Sequence, residues 1–208
     1  MKEIEQYFPN LSEDERKKFA MLGPLIADWN NKINVISRRD MDNFYLHHVL
    51  HSLSIYKFIE FSPGSGILDL GTGGGFPGIP LAIMMPGVEF TLIDARAKKL
   101  KVVDSVASAL GLSNIKTRHI RAEELKGSYD FVVSRAVTSL EQLCRWSQSL
   151  IGQEERNPYP NGLICLKGGN LKPELKALRK GIFVETVPIS RWYREDFFEE
   201  KHLLYVQV

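Results

Sequence analysis

The chain has 208 residues, of which 44% are hydrophobic and 25% are charged, and its formal net charge is +2. These values are ordinary for a soluble protein and exclude collagen-like, disulfide-rich and disordered chains. No apolar run approaches the length of a membrane span and the first residues lack a secretory apolar segment, so we expect a cytoplasmic protein. Cys144 and Cys165 lie in apolar segments without metal-ligand spacing, which predicts buried free thiols.

Residues 1–62 have the pattern of a helical region. Ser12 followed by Glu15 is a capping box and predicts the start of a helix. Apolar residues at steps of three and four then form one stripe, namely Phe19, Leu22, Ile26, Trp29 and Ile33. Gly23-Pro24 interrupts this stripe and predicts a kink or two abutting helices. A second helix is predicted from Asn43 to Phe61.

Residues 63–208 alternate between strands and helices. The predicted strands are Ile67–Gly71, Glu89–Asp94, Ile115–Ile120, Tyr129–Ser134, Gly162–Lys167, Phe183–Ile189 and His202–Val208. The predicted helices are Pro77–Met85, Ala97–Leu110, Leu140–Ile151 and Pro173–Lys180. This alternation predicts an α/β fold, with a doubly wound, mostly parallel seven-stranded sheet of Rossmann-like type closed by an antiparallel pair. We therefore expect a helical N-terminal region, 1–62, and one α/β domain, 63–208.

The most informative segment is 67–78, where an apolar strand runs into a glycine-dense turn before Pro77. Gly71, Gly73, Gly74 and Gly75 let a ligand lie against bare backbone at a helix N-terminus. A turn that binds no ligand is disfavoured, because four glycines in five positions cost much chain entropy. The strand residue Asp69 either orders this turn by accepting backbone hydrogen bonds or favours a cationic ligand.

Two nucleotide cofactors compete for this turn. Gly73, Gly75 and Gly78 satisfy the bare G-x-G-x-x-G pattern of dinucleotide-binding folds. Counted from Gly71, however, the third-glycine position holds Phe76, so helix and strand are expected to lie further apart than in those folds. The run from Asp69 to Gly73 instead resembles the D-x-G-x-G signature of S-adenosylmethionine-dependent methyltransferases.

Further candidate residues follow the ends of the next two strands. Asp94 ends the second strand, where a carboxylate can accept both ribose hydroxyls of an adenosine, or cap the following helix, or do both. Ala122-Glu123 follow the third strand, where a backbone N–H can contact the adenine edge. The cofactor-binding residues predicted from these positions are Gly71, Gly73, Gly75, Asp94, Ala122 and Glu123.

Ser134-Arg135-Ala136 ends the fourth strand, at the expected site of methyl transfer. Many amino-methylating enzymes carry an Asn/Asp-Pro-Pro-Tyr/Phe tetrapeptide here, which receives the protons of an exocyclic amine, and this chain lacks it. An aromatic ring nitrogen such as guanine N7 needs no deprotonation, so no catalytic base is predicted. Arg135 is expected to bind a phosphate or the cofactor carboxylate, or else to bridge strand ends. Arg135 and Lys167, the latter before two glycines, are the candidates for positioning the acceptor.

Basic and histidine side chains supply the remaining candidates. Lys98, Lys99, Lys101, Arg118 and Arg121 form either a basic rim for RNA or a solvated face. Arg38 and Arg39, on a predicted loop, are the sharper RNA candidates. His47 and His51 are four residues apart, but no third ligand has suitable spacing, so no metal is expected. His48 is predicted to make a hydrogen bond between helix and sheet.

A known family shares these motifs in the same order and spacing. They are Trp29-Asn30 with Asn34, His48 with Ser52, Gly71-Thr72-Gly73-x-Gly75-Phe76-Pro77-Gly78-Ile79-Pro80, Asp94, Ser134-Arg135-Ala136 and Lys167-Gly168. From about residue 12 to the C-terminus, the chain resembles the bacterial small-subunit ribosomal RNA guanine-N7 methyltransferase G family, also called glucose-inhibited division protein B.

The resemblance implies methylation of N7 of guanine 527 (rRNA numbering) in the 530 loop of 16S rRNA, with S-adenosylmethionine as cofactor. It also implies cofactor contacts by Gly71, Phe76, Ala122-Glu123 and Arg135. His51 departs from the family, much of which has an acid there, and Pro24 is a second departure. A small-molecule methyltransferase and a non-catalytic ribosome-assembly factor are the alternatives. We expect a monomer that acts on 16S rRNA or on the small ribosomal subunit, without a metal or a membrane.

Overall fold

A computed structural model describes residues 1–208, and one seven-stranded sheet organises it. The strands are β1 Gly66–Leu70, β2 Glu89–Asp94, β3 Ile115–His119, β4 Phe131–Arg135, β5 Gly162–Gly168, β6 Phe183–Pro188 and β7 Lys201–Gln207. Their order is β3-β2-β1-β4-β5-β7-β6. The first five strands are parallel, and β7 runs antiparallel to both β5 and β6. The predicted α/β fold and its antiparallel closing pair are confirmed. β4 begins later than predicted because Tyr129 makes only an isolated bridge, to Ile151.

Seven α-helices accompany the sheet. They are α1 Lys2–Tyr7, α2 Glu13–Lys32, α3 His51–Phe58, α4 Gly78–Met84, α5 Ala97–Ala109, α6 Leu140–Ser147 and α7 Lys172–Ala177. Each predicted helix of the α/β region is present, but α6 ends four residues and α7 three residues before the predicted ends. None of the helices has both the length and the apolar composition needed to cross a bilayer.

The two faces of the sheet bury separate apolar clusters. Alternate strand residues such as Ile67 and Phe90 join the larger cluster of 38 residues, which α1 to α5 also enter. The intervening residues, such as Leu68 and Ile93, join a cluster of 14 residues with α6 and the segment that leads into α7. The N-terminal helices thus share one core with a sheet face, and a division of the chain at residue 62 stays a prediction. Both cysteines are buried and free, as expected.

Helix α2 is continuous through Pro24, which corrects the alternative of two abutting helices. Proline removes one N–H from the helical ladder, so a carbonyl one turn earlier loses its donor. The hydroxyl of Tyr45 donates to the carbonyl of Phe19 at 2.9 Å and lies 3.5 Å from that of Ala20. A Cβ at Gly23 would lie 2.7 Å from the same hydroxyl. The carbonyl that loses its donor at Pro24 is that of Ala20, four residues earlier, and the Tyr45 hydroxyl lies only at the outer limit of a hydrogen bond to it. The absence of a side chain at Gly23 makes room for this hydroxyl beside α2.

The helix predicted from Asn43 to Phe61 is present over residues 44–58, but its first half is a π-helix, Phe44–Leu50, which continues directly into α3. It ends three residues before the predicted end. A 3₁₀ helix, Arg38–Asn43, precedes it, so Arg38 and Arg39 lie in a helical turn rather than the predicted loop. π-Helical turns widen the spacing of side chains and occur frequently at functional sites. This one carries His47 and His48 to the carboxyl end of β4.

Candidate active site

The glycine turn after β1 adopts backbone conformations that few other residues tolerate. Gly71, Gly73 and Gly75 have φ angles of 73°, 58° and 96°. An added Cβ would lie 2.5 Å from Val137 at Gly71 and 2.3 Å from Ile79 at Gly75, whereas at Gly73 it would meet no atom within 4 Å. Gly75 is thus required by packing, and Gly73 opens onto unfilled space.

Asp69 orders the turn. One carboxylate oxygen accepts hydrogen bonds from the Thr72 hydroxyl at 2.6 Å and from the Gly78 N–H at 2.8 Å. Burial raises the pKa of Asp69 to about 7, although these two bonds and the charge of Arg135 oppose that rise. Its other oxygen is buried without a partner. Of the two roles considered for this carboxylate, ordering the turn is the one observed.

Helix α4 packs closely on the sheet, contrary to the expectation drawn from Phe76. A Cβ at Gly78 would lie 2.8 Å from both the Asp69 carboxylate and the side chain of Leu92. Gly78, two residues further along, therefore provides the close approach that the third glycine provides in dinucleotide-binding folds. The count of glycine positions from Gly71 missed this role of Gly78, because the glycine turn has more residues here than in dinucleotide-binding folds.

Two cavities meet at Gly71, at the carboxyl ends of the central strands. The smaller has about 180 Å³, and its lining includes Asp94, Ala122, Glu123 and Val137. The larger has about 390 Å³, and its lining includes Thr72, Gly73, Gly74, Phe76 and Arg135. Seven of the eight predicted cofactor-binding residues line one of these cavities, and Gly75 does not. Val137 was not predicted; it follows Ala136, whose φ of 54° turns the chain.

Asp94 connects the second strand to the glycine turn. Its carboxylate accepts hydrogen bonds from the N–H of Gly73 at 3.0 Å and from that of Arg96 at 2.8 Å. The N-cap of α5 is Arg96, whose side chain makes no cap bond, so Asp94 lies two residues before the N-cap and binds its N–H instead of capping the helix. Each carboxylate oxygen keeps a lone pair for a further donor in the smaller cavity.

Arg135 reaches the larger cavity with few of its N–H groups engaged. It donates to the carbonyl of His47 at 3.2 Å and to Nδ1 of His48 at 3.1 Å, and its guanidinium lies 5.2 Å from the ring centre of Phe76. No carboxylate lies within ion-pair distance. Burial lowers the pKa of Arg135 to about 10, so it stays cationic at neutral pH. Its contacts are to the π-helix, which does not match the alternative of a bridge between strand ends.

The imidazole of His48 makes hydrogen bonds to Arg135 through one ring nitrogen and to Asp40 through the other. Nε2 of His48 lies 2.6 Å from one oxygen of Asp40, and Nδ1 of His47 lies 2.5 Å from the other. Because arginine can only donate, Nδ1 of His48 is an acceptor and Nε2 carries the proton. Burial, and next the charge of Arg135, lower the pKa of His48 to about 4. His48 makes the predicted bond between helix and sheet, while Asp40 was missed because folding alone brings it near.

Lys167 does not line either cavity. Its ammonium lies 2.5 Å from the Thr138 carbonyl and 2.8 Å from Glu174, which also accepts from the Leu140 N–H at 2.7 Å. These bonds join the turn after β4 to α7. A role of Lys167 in positioning the acceptor stays a prediction. Its contacts allow such a role only indirectly, by fixing the turn after β4.

No group of three or more His, Cys, Asp or Glu side chains is placed to hold a metal ion. His47 stacks on Phe197 with ring centres 3.8 Å apart, and His51 is buried. His47 is thus engaged by aromatic packing and by its bond to Asp40, whereas Nε2 of His51 is buried without a hydrogen-bond partner.

Comparison with known proteins agrees with this geometry. A family model described as rRNA small subunit methyltransferase G matches residues 15–193. The chain belongs to the rRNA small subunit methyltransferase G family. The predicted family is thereby confirmed, together with the prediction of an S-adenosylmethionine-dependent methyltransferase.

Curated relatives extend over the whole chain. The chain is 52% identical to ribosomal RNA small subunit methyltransferase G of Phocaeicola vulgatus over 208 residues, covering 100% of this chain and 99% of the relative. It is 51% identical to the enzyme of that name from Porphyromonas gingivalis over 206 residues, covering 98% and 91%.

Solved structures show the same fold at low sequence identity. A SAM-dependent methyltransferase from Aquifex aeolicus aligns with a TM-score of 0.56 at 15% identity, covering 74% of this chain and 88% of its own. A ribosomal protein L11 methylase from Lactobacillus delbrueckii subsp. bulgaricus aligns with a TM-score of 0.59 at 14% identity, covering 76% of each. The methyltransferase fold is therefore confirmed.

Proposed function

We propose that the protein transfers a methyl group from S-adenosylmethionine to N7 of guanine 527 in the 530 loop of 16S rRNA. The observation that carries the proposal is the pair of cavities joined at Gly71, the larger of which offers no free carboxylate. The family assignment supports RNA of the small ribosomal subunit as the acceptor.

The residues present suit S-adenosylmethionine. The free lone pairs of Asp94 suit the ribose hydroxyls, and Ala122-Glu123 line the same cavity for the adenine. Gly73, with unfilled space where a Cβ would stand, leaves room for the amino-acid portion in the larger cavity. The half-occupied guanidinium of Arg135 suits the carboxylate of that portion. When bound there, this cofactor supplies a sulfonium methyl group close to Gly71, where the two cavities meet.

The larger cavity favours an acceptor that loses no proton. Asp40 is the only carboxylate in its lining, and His47 and His48 already engage both oxygens. A guanine N7 attacks with its in-plane lone pair as the carbon–sulfur bond breaks, leaving a delocalised cation on the base. The protein then needs to position the base and exclude water, without a general base.

Exposed cations of α5 and of the segment from β3 to Arg121 suit an RNA partner. Lys98, Lys101, Arg118 and Arg121 are exposed and make no ion pair. Lys99 donates to the carbonyl of Asn34 at 2.8 Å, which joins α5 to the segment leading to Arg38 and Arg39. Arg38 and Arg39 are exposed on the 3₁₀ helix that also contains Asp40 of the larger cavity. Unpaired cations of this kind bind phosphates in a salt-dependent way.

The test is transfer of a tritiated methyl group from S-adenosylmethionine to small ribosomal subunits that lack this modification. We expect label in the RNA, and weaker subunit binding as salt rises. Label on a low-mass acceptor, with none on the subunit, would indicate the small-molecule methyltransferase. Binding of cofactor and subunit without transfer would indicate the assembly factor.

A further inference from the structure

Lys201, at the start of β7, is a cation of the larger cavity that the cofactor does not account for. It lines the cavity together with Arg135, and these two are the only Lys or Arg side chains in its lining. Glu199 and Glu200 precede Lys201 in sequence, yet neither pairs with it. The cavity therefore holds a half-buried ammonium without a counter-ion.

The glycine at position 168 makes room for this side chain. Lys201 pairs with Gly168 across β5 and β7, and a Cβ at Gly168 would lie 3.0 Å from Nζ and 3.2 Å from Cδ of the lysine. The ammonium then lies 4.9 Å from the ring centre of Phe197. This explains the glycine that follows Lys167 in the sequence: it lets a lysine side chain cross the strand toward the cavity.

Within the lining of the larger cavity, Lys201 is linked to the glycine turn only through other residues. A series of contacts crosses the cavity from Phe76 to Arg135, then to His47, whose ring stacks on Phe197, and finally to Lys201. The methyl donor is expected beside Gly71 and Phe76, so the acceptor nucleotide comes between the donor and Lys201. The phosphates of that nucleotide are then the anions within reach of Lys201.

A buried polar atom in the same cavity lining also lacks a partner. Nε2 of His51 is buried without a hydrogen bond, although His51 lines the larger cavity. Burial, and next the charges of Arg135 and Lys201, hold the pKa of His51 well below its usual value, so its ring adds no charge. A neutral imidazole can donate one hydrogen bond to an oxyanion beside the ammonium.

We propose that Lys201, with His51 behind it, forms a subsite that binds a backbone phosphate next to the target guanosine. This assignment rests on the proposed function for its substrate, and it gives Arg135 and Lys201 different partners. The cofactor carboxylate is the other oxyanion that an ammonium here can bind. The two sources differ in which affinity depends on Lys201.

The test compares Lys201→Gln, which removes the charge at similar length, with Lys201→Arg, which retains it, and with Lys180→Gln as a matched control. Lys180 is exposed and lines neither cavity. For Lys201→Gln we expect KM for the small subunit to rise about tenfold and the slope of log K against log salt to fall by about one contact. Cofactor affinity and kcat are expected to stay unchanged, and Lys201→Arg to restore most of the loss.

Unchanged KM and salt slope in Lys201→Gln would overturn the subsite, as would a loss of cofactor affinity with subunit binding intact, since that outcome assigns the ammonium to the cofactor carboxylate. Failure of the proposed function is a separate result, in which the unmodified protein transfers no label to subunits. The salt slope of subunit binding still reports on Lys201 in that case.

Discussion

At the scale of single residues, Arg135 is a half-buried cation whose hydrogen bonding is incomplete. Hydrogen bonds to the carbonyl of His47 and to Nδ1 of His48 orient its guanidinium, and no carboxylate forms an ion pair with it. Replacing Arg135 with Lys keeps a charge but loses the fork that makes these two bonds. We expect Arg135→Lys to weaken binding of S-adenosylhomocysteine about tenfold by calorimetry, and Arg135→Ala to weaken it further. Wild-type affinity in both variants would show that the cofactor does not contact this residue.

The protonation state of His48 makes a prediction about pH. Its pKa is lowered from 6.5 to about 4, so the unfolded chain takes up a proton before the folded protein does. Stability contributed by the neutral imidazole is complete above pH 6.5 and is lost as the pH falls toward 4, by about 3 kcal/mol in total. Asp69, with its pKa raised to about 7, changes stability in the opposite direction over an overlapping range.

A difference measurement separates these two groups. We expect the free energy of unfolding of the wild type, minus that of His48→Gln, to decrease between pH 7 and pH 4.5, because Asp69 is common to both proteins. Urea titrations at several pH values measure it. A difference that is constant with pH would contradict a neutral His48 held between Asp40 and Arg135.

These residues also show which parts of the site sequence patterns can predict. Asp94 and the glycines follow strand ends, so the geometry of a parallel sheet predicts their meeting. Asp40 belongs to no motif, and its bond to His48 forms only because a π-helix turns that ring toward β4. Lys201 was missed because it reaches the cavity across an antiparallel strand, over a glycine whose role is visible only in the folded protein.

At the scale of elements, the glycine turn is built to leave space. Gly73 has a φ of 58° and nothing within 4 Å of an added Cβ, and Gly111 shares both properties but lies outside both cavities. Either residue changed to Ala pays the same left-handed strain of about 1 kcal/mol. We expect Gly73→Ala to lose cofactor affinity about tenfold or more, and Gly111→Ala to keep it. Equal affinities in the two variants would mean that the turn does not face the cofactor.

Helix α2 depends on a side chain from another element. Because the Tyr45 hydroxyl donates to the Phe19 carbonyl of α2, Tyr45→Phe is expected to lower the free energy of unfolding by about 1 kcal/mol, without changing cofactor affinity. Tyr159→Phe is the control, since the Tyr159 hydroxyl makes no hydrogen bond within the chain. Equal urea midpoints for the two variants would show that the hydrogen bond from Tyr45 to α2 adds no stability.

Secondary structure was predictable to different degrees for physical reasons. The parallel strands are short apolar runs between turn residues, and their period identifies them. The capping box of Ser12 and Glu15 forms with both bonds present. The alternative of two abutting helices at Pro24 was wrong, and the helix predicted at Asn43–Phe61 differs in type and in its end. The Tyr45 hydroxyl of the second segment bonds to the backbone of α2, and local sequence patterns do not contain that contact.

At the scale of the whole molecule, both cavities lie at the carboxyl ends of the parallel strands, and the N-terminal helical region adds a wall to the larger one. The mostly parallel sheet and its antiparallel closing pair follow from the alternation of elements, whereas the position of β7 between β5 and β6 was not predicted. The way in which Arg38–Leu50 meets the end of β4 does not, since no periodicity encodes how a helical segment docks. The contribution of Arg38–Leu50 to the larger cavity could therefore be found only from the structure.

The central claim is that the methyl group goes to a ring nitrogen without a catalytic base. The most direct measurement is tandem mass spectrometry of 16S rRNA from small subunits methylated by the purified protein, which locates the added methyl group on one nucleotide and one atom. We expect a single 7-methylguanosine, at guanine 527. A methyl group on an exocyclic amine, on a ribose hydroxyl or at another nucleotide would contradict it.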